Sequence, residues 1–250
     1  MKIDVNGIII RERNLTENSK VINILTSEMG VISALIKKSK NRKYNSQLFT
    51  EIFMYCKFNL YVAKNGYILN DFEVKERFFE IRNDLKCLAL AQYFSQLTLS
   101  LYPEKEKSSE FLRVILNCLF YLANKKRDLK LIKCIFELRS CSLCGYAPML
   151  VSCSICKRYS ASKMYFSLSQ AKLFCGECIE GSNLSSCNLI NSSLLSTLRH
   201  IVYSSLENLF NFSISDGNLN MLSELTEKYV RIHVADNFKV LDFFNKVSEL

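Results

Sequence analysis

The sequence predicts an α+β protein in which a small closed β-barrel precedes a helical region, with a four-cysteine zinc element inserted among the helices. Three observations carry this expectation. Short β-branched runs separated by turn signals occupy residues 1–72. Apolar positions spaced three and four apart dominate from about Glu73. Two Cys-x-x-Cys pairs, Cys153/Cys156 and Cys175/Cys178, stand 18 residues apart within the helical part.

The first strands are read from Gly7-Ile8-Ile9-Ile10 and Val21 to Leu25, the latter turning at Met29-Gly30 into Val31 to Ile36. Phe49 to Val62 follows, with Phe53, Tyr55, Phe58, Leu60 and Val62 in partial alternation. Asn65-Gly66 is a hairpin signal, because both residue types tolerate positive φ, and Tyr67-Ile68-Leu69 is the returning strand. Five short strands in this length suit a small barrel of the OB-fold kind and are few for a sandwich.

Helices are then predicted in order. Asn83-Asp84 opens one through Leu85, Leu88, Ala89, Tyr93, Leu97 and Leu101, stopped by Pro103. Ser108-Ser109-Glu110 caps a second through Phe111, Ile115, Leu119 and Leu122. Asp128 begins a third with Leu129, Ile132, Phe136 and Leu143, closed by Gly145 and Pro148. Two more are expected at roughly 190–210 and 218–235. The expected domains are therefore 1–75, the OB-fold nucleic-acid-binding domain, and 76–250, helical and containing the zinc element at 151–180. No internal repeat is visible.

Composition narrows the class. Of 250 residues, 49% are hydrophobic and 23% charged, which excludes a disordered chain. Seven glycines and two prolines leave room for long helices. No run reaches the roughly 18 apolar residues that span a bilayer. The first residues lack the apolar core and cleavage site of a secretory signal, so a soluble cytoplasmic protein is expected. Eleven cysteines are an odd number, and several lie in apolar stretches; reduced thiols plus a metal site fit better than a disulfide framework. The formal charge of +9 is concentrated forward: residues 1–72 carry 11 Lys/Arg against 6 Asp/Glu, whereas residues 186–250 carry 5 against 7. That excess points to a polyanion partner at the front of the chain.

Each Cys-x-x-Cys turn points two sulfurs to one side, and two such turns complete a tetrathiolate zinc site. Gly176 is expected to let the second turn close tightly. Four thiolates leave no open coordination position, so the zinc is structural and not catalytic. Cys141 and Cys144 form a competing pair, read as continuing the apolar face of the third helix; a thiol redox pair is the other reading. Cys56, Cys87, Cys118, Cys134 and Cys187 read as packing residues. Lys37, Lys38, Lys40, Arg42 and Lys43 place five cations in seven residues after a predicted strand, where they can neutralise phosphates. Tyr44 and Phe49 stand near enough in sequence to stack on bases. His200 and His233, both within predicted helices, read as packing or capping residues. No phosphate-binding glycine loop, nucleophile elbow or metalloprotease motif is present, and an enzyme is not expected.

The ordered set of motifs resembles the RecO family of bacterial recombination mediators over nearly the whole chain. The resemblance rests on Gly7-Ile-Ile-Ile-Arg11, Leu25 to Gly30 running into Val31-Ile32-Ser33-Ala34, and Phe136-Glu137-Leu138-Arg139 leading to Gly145-Tyr146-Ala147-Pro148. Tyr165-Phe166-Ser167 before Cys175, and Tyr229-Val-Arg-Ile-His233, complete it. Such proteins bind single- and double-stranded DNA, anneal complementary strands without ATP, and act with RecR to load RecA onto SSB-coated strands. The resemblance places DNA contacts at Arg11 and at the Lys37 to Lys43 stretch, and implies a nucleoid-associated location. Two positions depart from the family pattern: Lys38 replaces a glycine of the basic stretch, and Ala171-Lys172 replaces a glycine pair before Cys175. A zinc-ribbon adaptor that binds protein partners only is the alternative function.

Overall fold

A computed structural model describes residues 1–17, 19–37, 50–64, 66–102, 106–107, 109–179 and 187–248. Five strands form the front of the chain: β1 (Lys2–Thr16), β2 (Ser19–Thr26), β3 (Val31–Lys37), β4 (Tyr55–Ala63) and β5 (Gly66–Glu76). They close into a barrel in the order β1-β2-β3-β5-β4, antiparallel except where β3 runs parallel to β5, which is the expected OB-fold. The period-2 alternation fills the interior: Ile22 and Ile24 from β2, Ile32, Ala34 and Ile36 from β3, Cys56, Phe58 and Leu60 from β4, and Leu69 from β5.

Several strands differ in extent from expectation. β1 and β5 run well beyond their apolar centres because their polar ends stay paired at the barrel rim. The strand expected from Phe49 begins only at Tyr55, since Phe53 adopts a left-handed φ of 70° before it. Gly7 is needed for space: a Cβ there would lie 2.6 Å from the Ile24 Cγ2 and 2.7 Å from the Leu25 carbonyl oxygen. Gly66 holds φ +116° at the start of β5. Asn65, Pro103 and Ser108 lie outside the described residues.

Helices α1 (Leu85–Leu101), α2 (Ser109–Asn124) and α3 (Leu129–Leu143) follow. Asp84 caps α1 by accepting from the N–H groups of Lys86 and Cys87, and Asp128 caps α3 through Lys130 and Leu131. Lys125 also pairs with Asp84 at 2.8 Å; this partner holds the Asp84 carboxyl below its usual range. The remaining elements are β6 (Met149–Cys153), β7 (Met164–Ser167), β8 (Lys172–Cys175), a single turn α4 (Gly176–Ile179), β9 (Cys187–Ile190), α5 (Ser192–Tyr203), α6 (Asp216–His233) and α7 (Lys239–Ser248). The cysteine segment thus carries a four-stranded sheet, β6-β8-β7-β9, where sequence patterning indicated only a metal-held insertion. Helix α7 is also an addition to the expected set.

Two compact units emerge, residues 1–126 with 239–250, and residues 127–238. The last barrel strand ends at Glu76, and the division by packing falls at 126/127. In the first unit, α1 packs against α2, α7 and β1. In the second, α3 is buried from Leu131 to Cys141 and includes three charged residues, Lys133, Glu137 and Arg139. Lys133 Nζ lies 3.3 Å from Glu137 Oε1 and 3.2 Å from Glu227 Oε2, and Thr226 Oγ1 donates to Glu137 Oε2 at 2.6 Å. Burial opposes the Lys133 charge, but the two carboxylates outweigh it and hold the amine above its ordinary value. Arg139 donates to the carbonyls of Ile201 and Val202 at the end of α5.

Lys133→Met is expected to cost about 3–5 kcal/mol in chemical denaturation, because it strands the Glu137 carboxylate in the core. Lys133→Met combined with Glu137→Leu is expected to recover much of that loss. The turn between β7 and β8 holds Ala171 at φ 56°, the position of the departed glycine pair. Ala171→Gly is expected to raise stability by about 1 kcal/mol, read as a higher Tm.

Candidate functional site

The Sγ atoms of Cys153, Cys156, Cys175 and Cys178 all lie within 4.8 Å of one another. A tetrahedron with zinc–sulfur bonds of about 2.3 Å has edges of about 3.8 Å, so the four sulfurs stand close to a metal-binding arrangement. The Cys156 and Cys175 sulfurs are 3.6 Å apart. Cys153 and Cys175 are buried, Cys178 is half-buried and Cys156 is exposed.

The first turn leaves the end of β6. Lys157 N–H donates to the Cys153 carbonyl at 3.0 Å, and Cys153 N–H to that of Arg158 at 2.9 Å. The residue that makes this turn possible is Lys157, with φ 62°. The tightness expected of Gly176 is not required: it has no positive φ, and a Cβ there would meet Lys163 Cβ at an ordinary 3.4 Å. The second pair instead starts the single helical turn α4, tied back by Gly176 N–H donating to the Lys163 carbonyl at 3.0 Å. An exposed Arg158–Glu177 pair at 2.7 Å links the two turns.

Electrostatics of the sulfurs favour a cation. Burial alone would raise Cys153; the N–H groups of Cys156, Cys175 and Ile155 outweigh it and bring the thiol down to about 6. Cys178 moves the other way, up to about 12, first through its hydrogen bond with Cys175 and then through burial. The backbone thus accommodates the first thiolate, and further negative charge in the same small volume is opposed until a dication neutralises it. Among the described residues, this is the one cluster of His, Cys, Asp and Glu side chains with such convergence.

Side chains from α5 and α6 dock the sheet that carries the sulfurs. Arg199 donates to the carbonyls of Leu150 at 2.7 Å, Val151 at 2.9 Å and Tyr159 at 2.7 Å, and its guanidinium lies 3.9 Å from the Tyr159 ring centroid. Tyr203 Oη accepts from Leu150 N–H and donates to the Pro148 carbonyl. From α6, Tyr229 donates to the Tyr146 carbonyl at 2.8 Å and stacks on Phe166. His233 Nε2 meets the Leu168 carbonyl at 2.7 Å. Arg199 went unrecognised in the sequence; one arginine in a helical pattern gives no signal of the carbonyls it will reach. His200 Nε2 meets the Asn208 carbonyl at 2.9 Å, a local helix-end bond.

Cys141 is buried on α3, and burial pushes its thiol up, so it stays protonated at neutral pH. Cys118 and Cys134 are raised by burial in the same way, which fits packing residues.

On the barrel, Arg11 and Lys37 are exposed, whereas Lys38, Lys40, Arg42, Lys43, Tyr44 and Phe49 lie outside the described residues. A bulge after Ile9 sets Arg11 opposite Asn23, on the outward face with Ser33. Arg13 stands opposite Val21 and Leu35 in the next outward row, a contribution that sequence reading missed. Arg11, Arg13 and Lys37 make no ion pair with a described residue. The β4–β5 side differs: Lys57 pairs with Asp4 at 3.3 Å, and Asp71 and Glu73 line the same shallow cleft. The exposed cations Arg11, Arg13 and Lys37 lie on the β1–β2–β3 side. No helix among the described residues is long and apolar enough to cross a membrane.

Comparison with known proteins gives the lineage. The family model for the recombination protein O N-terminal region matches residues 1–78, and that for its C-terminal region matches residues 82–242. The chain is 31% identical to the DNA repair protein RecO of Acetivibrio thermocellus over 248 residues, covering 99% of this chain and 98% of that one. It is 27% identical to RecO of Caldicellulosiruptor bescii over 246 residues, 98% of this chain and 99% of the relative. With both family models matched in order along one chain, and relatives aligned almost end to end, this protein belongs to the RecO family of DNA repair proteins.

Proposed function

We propose that this protein is a recombination mediator that binds single- and double-stranded DNA, anneals complementary strands, and acts with RecR to load RecA onto SSB-coated strands. The observation that carries the DNA part of this reading is the set of exposed cations on β1 and β3, Arg11, Arg13 and Lys37, that make no ion pair with a described residue. The basic stretch Lys38, Lys40, Arg42 and Lys43 continues directly from Lys37 in sequence. Cations of this kind hold two phosphate backbones close by screening their repulsion. Phosphate contacts carry no sequence information, and base pairing between the strands supplies the specificity. The reaction then needs no nucleophile and no ATP.

The four cysteines hold one structural zinc ion in this reading. Thiolate softness and a closed four-ligand shell favour zinc over magnesium or calcium, and the sheet they anchor is too short to form a core alone. RecR and SSB enter this reading as the partners that family membership suggests. The protein-only adaptor remains the rival, and salt dependence separates the two.

Single-strand binding is expected to weaken steeply with salt, and Arg11→Ala, Arg13→Ala and Lys37→Ala each to reduce the log–log slope by about one. Affinity that ignores salt would favour the adaptor. Metal analysis is expected to find one zinc per chain. Chelation is expected to abolish amide-exchange protection across β7 and β8 while leaving the salt slope of DNA binding unchanged. Cys178→Ser is expected to lower metal retention without altering that slope.

A further inference from the structure

Beside the cationic row, β1, Ile52 and α1 enclose a cleft of about 360 Å³, within the range of small-ligand sites. Ile10, Ile52 and Leu99 contribute apolar walls, and Arg11, Ser95 and Gln96 contribute polar groups. Ser95 is 4% exposed, and its Oγ has no hydrogen-bond partner among the described residues. The Gln96 Oε1 atom is likewise buried without a partner. Two such atoms, on neighbouring residues of one helix, are costly at about 1–3 kcal/mol each when nothing engages them. Both residues line the same cleft, so a ligand seated there can engage both.

The chemistry of the groups selects the ligand. A buried amide oxygen needs an N–H or O–H donor, which an ionised carboxylate cannot supply. A hydroxyl next to it gives and accepts one hydrogen bond. A nucleobase edge offers an N–H group beside an acceptor atom, and its faces fit between aliphatic walls. Arg11 reaches the cleft from the outward row, where a phosphate would lie. Glu12 also lines the cleft, but its carboxylate is 3.1 Å from Lys20 Nζ, which offsets its repulsion of a phosphate.

We propose that this cleft holds one unstacked nucleobase of a bound single strand, with Gln96 and Ser95 bonding its edge and Arg11 holding the adjoining phosphate. The inference rests on the DNA-binding reading above and adds to it a neutral, base-directed contact. A paired base has its Watson–Crick edge occupied, so the cleft favours single strands over duplex at this point of the surface.

The test compares an oligonucleotide with an abasic counterpart of equal length and charge, using the full-length protein and fluorescence anisotropy. Wild type is expected to bind the intact strand about tenfold more tightly, as orphaning of the buried groups implies. Gln96→Leu is expected to erase that preference without changing the salt slope, because no charge is lost. Ser95→Ala removes only a hydroxyl, and is expected to reduce the preference to about threefold even if Gln96→Leu fails to fold. Equal affinity of wild type for both strands would overturn the base cleft and leave the DNA reading intact. A preference that survives in both variants would also overturn it, placing the base elsewhere. A carboxylate-ended peptide that binds wild type but not Gln96→Leu, with no base preference, would reassign the cleft to a protein partner. Absence of any salt-dependent DNA binding would instead overturn the reading on which the proposal depends.

Discussion

Four sulfur atoms within 4.8 Å of one another set the terms for the second unit. Left as thiolates they repel, and left as thiols they are poor packing groups at a partly open site. A dication removes that conflict, converting the repulsion into the tie that holds the two turns together. The sheet β6-β8-β7-β9 has strands of only four or five residues, too short to persist on backbone pairing alone. Leu150, Met164, Phe166, Leu173 and Phe174 of this sheet are buried.

The docking bonds explain why distant motifs belong together. Tyr229 and His233 are one helical turn apart on α6, so both reach the cysteine element from the same face. Arg199 and Tyr203 have the same spacing on α5 and satisfy backbone groups along β6. Charges buried along α3 bond to α5 through Arg139 and to α6 through Glu137. Each group is polar, buried or half-buried, and matched to a specific partner, so the helices can pack in one register only.

Legibility in the sequence followed the range of the interactions. The barrel strands were visible because alternation is local, and Asp84 and Asp128 because capping acts within three residues. The convergence of the four cysteines was visible because Cys-x-x-Cys geometry is also local. The short strands around the cysteines were not, since contacts from α5 and α6 hold them and not their own propensity. Helix α7 went unread although Val240, Leu241, Phe244 and Val247 recur at helical spacing. The aim of Arg11 and Arg13 depends on a bulge and a register, which no local signal fixes. Gly176 shows the reverse error: a glycine beside a metal ligand looked conformationally necessary, but the left-handed residue is Lys157.

The proposed division between a metal role and a DNA role rests on where charge is free. Arg158 and Glu177 beside the cysteine cluster neutralise one another, while Arg11, Arg13 and Lys37 on the barrel have no such partner among the described residues. An ion-paired arginine must give up its partner before it can hold a phosphate, and an unpaired one loses only hydration. The barrel face therefore meets a polyanion at lower cost than the cysteine element does. A metal enclosed by four sulfurs offers neither an open coordination position nor net positive charge, since four thiolates outweigh a dication. In the proposed reading, a metal held by the four sulfurs would keep the second unit in shape, and phosphate attraction would fall to the strands that precede it.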